Sequence, residues 1–136
     1  MTVQPEWVLA IIKQETGGIV QSRFEQHILT RLNNKQGRAN LVELRYQAMS
    51  QGLGQILGSN YKPVGAESAL AIFQSSIADQ VLFVARFLAR RPKIVSRRNP
   101  TGDHFAQLAR FYKGPCYAKH HYDESLARWF HEFQSL

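Results

Sequence analysis

The sequence predicts an all-α protein, and three observations carry that reading. Apolar residues recur at helical spacing along most of the 136 residues. Strand signals are poor, with little apolar alternation and no Asn-Gly or Asp-Gly hairpin. Proline and glycine fall where helices should start and stop. The pattern gives about seven short helices, and no linker is long enough to divide them. Residues 1–136 are therefore expected to form one domain around one core.

The first helix should begin at Pro5, a proline suited to the first helical position, and end before Gly17-Gly18. A second, SRFEQHILTRL, places Phe24, Ile28 and Leu32 on one face. NNKQGRAN is a polar break. NLVELRYQAM reads as a third helix carrying Leu41, Leu44 and Ala48. QGLGQILGSNYKPVG is glycine-rich and reads as a loop with one helical turn at most. AESALAIFQSSIADQVLFVARFLARR is the most strongly helical part, either two helices or one bent near Ser75-Ser76. Its apolar line, Ile77, Val81, Val84 and Leu88, should make it the central helix. RRPKIVSRRNPTG is a basic, turn-rich connection. DHFAQLARFY is a helix stopped by Gly114-Pro115. DESLARWFHEFQSL closes the chain with Leu126, Trp129, Phe130 and Phe133 facing in.

Hydrophobic residues make up 44% of the chain, enough to fold. The formal net charge is +7, which favours polyanions such as nucleic acid, anionic lipid or an acidic cell-wall polymer. Cys116 is the single cysteine, which excludes an intramolecular disulfide and a thiolate metal site. It is expected to be a small buried residue, with a nucleophile as the alternative. The N-terminal MTVQPEWVLAIIKQE has neither the basic cluster nor the apolar run of a signal peptide or membrane span. Action outside the cytoplasm would then need a route other than general secretion.

One residue stands out against this background. Val8, Ile11, Ile12 and Glu15 share one helical stripe, and the fourth is a carboxylate. Its place at a helix C-terminus, among apolar neighbours, disfavours the charged form twice over. A raised pKa is what a general acid needs to hold its proton near neutral pH. The glycines that follow allow a sharp turn and leave space for a substrate. The alternative is a partly exposed carboxylate that pairs with an arginine or caps a loop. QGLGQILG lets a ligand approach the backbone, and Gln55 can both donate and accept hydrogen bonds. It lacks the lysine and spacing of a phosphate-binding loop, and the alternative is an ordinary loop. ARFYKGPCY sets Tyr112 and Tyr117 on either side of a Gly-Pro turn, where they can stack on sugar rings or simply end a helix.

Taken together these segments resemble the bacterial and phage N-acetylmuramidase domain, within the lysozyme-like superfamily that includes goose-type lysozymes and lytic transglycosylases. ETGG, Glu15 to Gly18, resembles the Glu-Ser/Thr-Gly-Gly segment that holds the family's catalytic acid. RFEQH, QGLGQILGSNY and FAQLARFYKGPCYAKHHYDESL resemble three further family segments, in the same order. The resemblance covers nearly the whole chain. It implies a lysozyme-like fold with a substrate groove and cleavage of the β-1,4 bond between N-acetylmuramic acid and N-acetylglucosamine, with Glu15 as general acid. It makes Glu25 the candidate second carboxylate, as nucleophile, cation stabiliser or water-positioning base, with a structural role as the alternative. Gln55, the backbone at Ile56, Tyr61, Tyr112 and Tyr117 become candidate substrate-binding groups. His27 is either a neighbour of Glu25 or a helix-surface histidine. Lytic transglycosylases share the layout with one essential glutamate, so transglycosylation stays open, as does a weakened wall-binding module.

Three positions depart from the family pattern: Gln51 for an aromatic residue, Gly54 for a bulky one, and Lys113 for an asparagine. They fall where sugars would be gripped. No cofactor is expected. No metal site is expected either, since His120 and His121 are adjacent and His104 and His131 are isolated. Peptidoglycan glycan strands are the expected partner, acted on by a monomer. Nucleic acid is not expected, for want of a recognisable reading element. The run Arg86, Arg90, Arg91, Lys93, Arg97, Arg98 is either a solvated face or a dock for the anionic cell envelope. The protein is expected to act on the cell wall after phage-type or specialised release.

Overall fold

The computed structural model describes residues 2–36 and 40–136. In chain order the elements are α1 (Pro5–Glu15), β1 (Ser22–Phe24), α2 (Gln26–Gln36), α3 (Leu41–Gln47), β2 (Met49–Gln51), β3 (Ile56–Leu57), α4 (Ala69–Phe73), α5 (Ile77–Leu88), α6 (Pro92–Val95), α7 (Gly102–Lys113) and α8 (Tyr122–Gln134). Short 3-10 turns occupy Gly58–Asn60 and Tyr117–His120. The fold is mainly helical, as expected, with one small sheet the sequence did not announce. Part of the expected polar break, residues 37–39, lies outside the described residues.

The chain divides into two compact units. The first comprises Met1–Gly17 and Leu88–Leu136, the second Gly18–Phe87.

In the first unit α8 packs against α1 and α7. Its centre is aromatic: Trp7 lies 5.0 Å from Phe105 and 4.6 Å from Phe130, centroid to centroid, in tilted pairs. Such pairs add to the area that each ring removes from water. The Trp7 indole N–H donates to the Arg97 carbonyl at 3.4 Å, so the buried ring keeps a polar partner. Ile11, Leu108 and Leu126 are fully buried beside it. α6 forms inside the segment expected to be a turn-rich connection, and it buries Ile94 and Val95. α8 turns Leu126 and Phe130 inward, while Trp129 and Phe133 are only half-buried.

In the second unit β1, β2 and β3 form an antiparallel sheet in that order, with Arg23 opposite Ser50 and Ser50 opposite Leu57. Ser22–Phe24 was expected to open the second helix, but it is strand, and Phe24 is exposed. Strands of two and three residues are too short to show alternation. Leu32, Leu44 and Ala48 form a small core with Ile28 and Leu29 packed against it, while Leu41 stays exposed. Gly58 closes this unit: a Cβ there would lie 2.1 Å from the Tyr46 carbonyl oxygen, so only glycine fits.

The segment around Ser75-Ser76 resolves into two helices, α4 and α5. The expected apolar line on α5 is corrected. Val84 and Leu88 are buried, but Ile77 is 56% exposed and Val81 39%. The inner face is Gln80, Phe83, Val84, Phe87 and Leu88. A buried glutamine shifts the face, because its side-chain amide is used inside and does not read as apolar.

Candidate active site

α1 ends as its sequence predicts. The Thr16 and Gly17 amides both donate to the Ile12 carbonyl, and Gly17 and Gly18 follow at φ 66° and 92°. Those left-handed values favour glycine and turn the chain away sharply. Val8 and Ile11 are buried on the inner stripe, and Glu15 continues it, half-buried. Its carboxylate Oε2 accepts a hydrogen bond from the Tyr122 hydroxyl of α8. Burial pushes the Glu15 carboxyl above its usual range; the Tyr122 hydrogen bond and the Lys113 ammonium pull the other way without cancelling it.

Two tyrosines surround this carboxyl electrostatically. Burial and the Glu15 charge hold the Tyr112 hydroxyl well above its ordinary value. The same influences, together with its hydrogen bond to Glu15, hold Tyr122 protonated as a donor. Glu15, Tyr112, Lys113 and Tyr122 thus form one cluster on α1, α7 and α8. Gln14, next to Glu15, accepts from the Trp129 indole at 3.0 Å and ties α1 to α8 a second time. Tyr117 is half-buried, with the Arg110 guanidinium 5.4 Å from its ring centroid.

Tyr122 is the residue that sequence reasoning missed. The signal was present: Tyr122, Leu126, Trp129 and Phe130 share a helical stripe, and a tyrosine on a buried stripe needs a partner for its hydroxyl. Lys113, a departure from the family pattern, acts on Glu15 through its charge.

The remaining candidates lie in the second unit. Glu25 follows β1, and its carboxylate pairs with Arg23 at 3.2 Å and with His27 at 3.8 Å. His27 is thus both on the surface and beside Glu25. Gln55 has φ 51° and donates its side-chain amide to the Gln21 and Gly52 carbonyls at 2.9 and 3.2 Å. Its side-chain amide N–H groups thus tie the loop to the segment before β1 as well as to itself. Ile56 is buried in β3. Tyr61 is half-buried after the 3-10 turn, with the Lys62 ammonium 5.9 Å from its ring centroid.

The three departures are also placed. Gln51 is buried, and its amide donates to the Tyr46 and Ala69 carbonyls at 2.8 and 3.3 Å. An aromatic ring there would make neither bond. Gly54 is buried in the turn before β3. Cys116, expected inside, is exposed in the turn that follows Gly114-Pro115, on no element's inner face. No group of three or more His, Cys, Asp or Glu residues among the described residues is arranged to hold a metal ion. No helix among them is long and apolar enough to cross a membrane.

The crystal structure of the Burkholderia AP3 phage endolysin superposes with a TM-score of 0.73 over 98% of this chain and 67% of that one, at 21% identity. The chain therefore shares the fold of that endolysin. The N-acetylmuramidase family matches residues 42–134, and the chain belongs to that family. It is a peptidoglycan-degrading glycosidase by class, and its substrate is the cell-wall polymer. The matched residues include Gln55, Ile56, Tyr61, Tyr112 and Tyr117 and begin after Glu15 and Glu25. No match is found among curated proteins.

Proposed function

We propose that the protein cleaves the β-1,4 bond between N-acetylmuramic acid and N-acetylglucosamine, with Glu15 as general acid. One observation carries the reading: a carboxyl at the C-terminus of α1, raised by burial and held by the Tyr122 hydroxyl. A protonated Glu15 donates to the glycosidic oxygen as the bond breaks. The carboxylate that results is steadied by Tyr122 and by the Lys113 charge, both of which favour its ionised form. Tyr122 fixes the orientation of the carboxyl, and so the direction of proton transfer. Tyr112, Tyr117, Tyr61, Gln55 and the Ile56 backbone are the proposed sugar-binding groups. Glu25, which lies between Arg23 and His27, is the proposed second carboxylate.

A specific observation favours a second reading, transglycosylation by Glu15 alone. The Glu25 carboxylate is already held by the Arg23 guanidinium and faces the His27 ring, a setting that suits a structural carboxylate. In that route Glu15 first gives its proton and then takes one from the muramic acid hydroxyl, which closes an anhydro ring. Mass analysis of muropeptides released from purified peptidoglycan separates the two. Hydrolysis leaves a reducing end, and transglycosylation leaves an end one water lighter. Equal release by wild type and Glu15→Gln, or none by either, would sink both.

A further inference from the structure

The second unit carries a recess of about 370 Å³ lined by Phe24, Val42, Arg45, Tyr46, Met49 and Phe73. Phe73 also lines a smaller recess of about 200 Å³, bordered by Gln51 and Gly52. Gln51 and Gly52 open the glycine-rich segment to which the proposed function assigns glycan binding. The larger recess therefore continues from that segment across one aromatic side chain.

Its chemistry differs from what a sugar chain asks for. Phe24, Val42 and Phe73 are 45%, 58% and 47% exposed, which is a large apolar area to leave in water. Tyr46 and Phe73 form a tilted pair with centroids 5.0 Å apart, so the wall is preformed. Arg45 is exposed at its edge and has no ion pair among the described residues. The nearest acid in sequence, Glu43, is consumed elsewhere: its carboxylate accepts from the Gln47 amide and from the Ala69 and Leu70 backbone at 3.0, 3.0 and 3.1 Å. A glycan whose muramic carboxyls are amide-linked to peptides is neutral and offers this cation nothing. The attached peptides carry free carboxylates beside small methyl side chains, which is the combination that the recess displays.

We propose that this recess binds the stem peptide of peptidoglycan, with Arg45 taking a carboxylate and Phe24, Val42 and Phe73 receiving the methyl groups. The enzyme then grips its substrate by the peptide as well as by the sugar and favours peptide-bearing strands. This rests on the glycosidase reading for its substrate, but its test does not need catalysis. The tripeptide L-alanyl-γ-D-glutamyl-L-lysine is titrated into the isotope-labelled full chain and followed by amide shifts. The expected result is saturable shifts centred on Phe24, Val42, Arg45, Tyr46 and Phe73, with binding weakened about 10-fold or more by Arg45→Glu. Val42→Asp, at another exposed position, should weaken it as well. Shifts that do not saturate, that centre elsewhere, or that survive both substitutions overturn the proposal. Shifts of the same amides with protein concentration alone would give the recess to a second copy of the chain and also overturn it. Failure of the glycosidase reading shows separately, as intact peptidoglycan that releases no fragments.

Discussion

The two units bury different chemistry. The first is held by rings and aliphatics: Trp7, Phe105 and Phe130 in mutual contact, with Ile11, Leu108 and Leu126 around them. The second contains all three buried polar side chains among the described residues, Gln47, Gln51 and Gln80. Each serves as a crosslink there. The Gln80 oxygen accepts from the Leu53 amide at 3.1 Å, and Glu43 gathers Gln47 with the start of α4. An apolar wall raises the pKa of a carboxyl placed on its edge, and Glu15 occupies such a place. A hydrogen-bonded framework shapes loops instead, which suits the sheet and the glycine-rich segment. On the proposed function, the general acid belongs to the first unit, and the second carries the loop groups for sugar binding together with Glu25.

The largest effects test that assignment directly. Glu15→Gln should lower the rate of peptidoglycan cleavage by about 10²–10⁴-fold, the contribution of a general acid. Glu25→Gln should cost much less if the carboxylate only organises Arg23 and His27, and as much if it reacts. Turbidity loss of purified cell walls measures both. A Glu25→Gln enzyme as dead as Glu15→Gln would give the second unit a reacting group and favour the two-carboxylate route; a nearly unimpaired one would favour Glu15 acting alone.

Stability comes next. Trp7→Ala removes a fully buried indole and its contacts with Phe105 and Phe130, and should cost about 3–5 kcal/mol. Glu43→Ala removes the acceptor of three hydrogen bonds in the second unit and should cost about 2–3 kcal/mol. Urea unfolding gives both values. If Glu43→Ala proved nearly neutral, the polar framework would be ornament, and the second unit would depend on its small Leu32, Leu44 and Ala48 core.

How far the sequence revealed all this follows the same division. Helices of the first unit bury apolar stripes, so α1, α7 and α8 were legible from spacing, with Pro5 and Gly17 marking the ends of α1. In the second unit the reading failed where polar side chains work inside. Gln80 on the inner face of α5 shifted the apparent apolar line to Ile77 and Val81, which are exposed. Strands of two or three residues leave no period to read, so the spacing of Phe24, Ile28 and Leu32 reads as helix although Phe24 is strand. Glu15 was conspicuous because a carboxylate on an apolar stripe conflicts with its neighbours. Tyr122 was not, because a tyrosine on such a stripe conflicts with nothing until its hydroxyl must be satisfied. Which acceptor it meets depends on the packing of α1 against α8, and that is a tertiary fact.

The smallest effect is a shift in pH dependence, and it tests the cluster itself. Only the protonated Glu15 can donate, so activity should be retained below its raised pKa and lost as pH climbs through it. Tyr122→Phe removes a donor that favours the ionised carboxylate, so the pKa should rise further and the alkaline limb of the rate profile should move to higher pH. Lys113→Met removes a favourable positive charge and should move it in the same direction. Stability is linked with the same sign. A carboxyl raised in the folded state contributes fully below its unfolded value of 4.5, and that contribution is lost as pH rises through the folded value. Glu15→Gln, which cannot ionise, should therefore gain on wild type in thermal unfolding as the buffer is moved from acid to neutral. A difference independent of pH would mean that Glu15 is solvated like any surface glutamate, and the apolar wall of the first unit would no longer explain its chemistry.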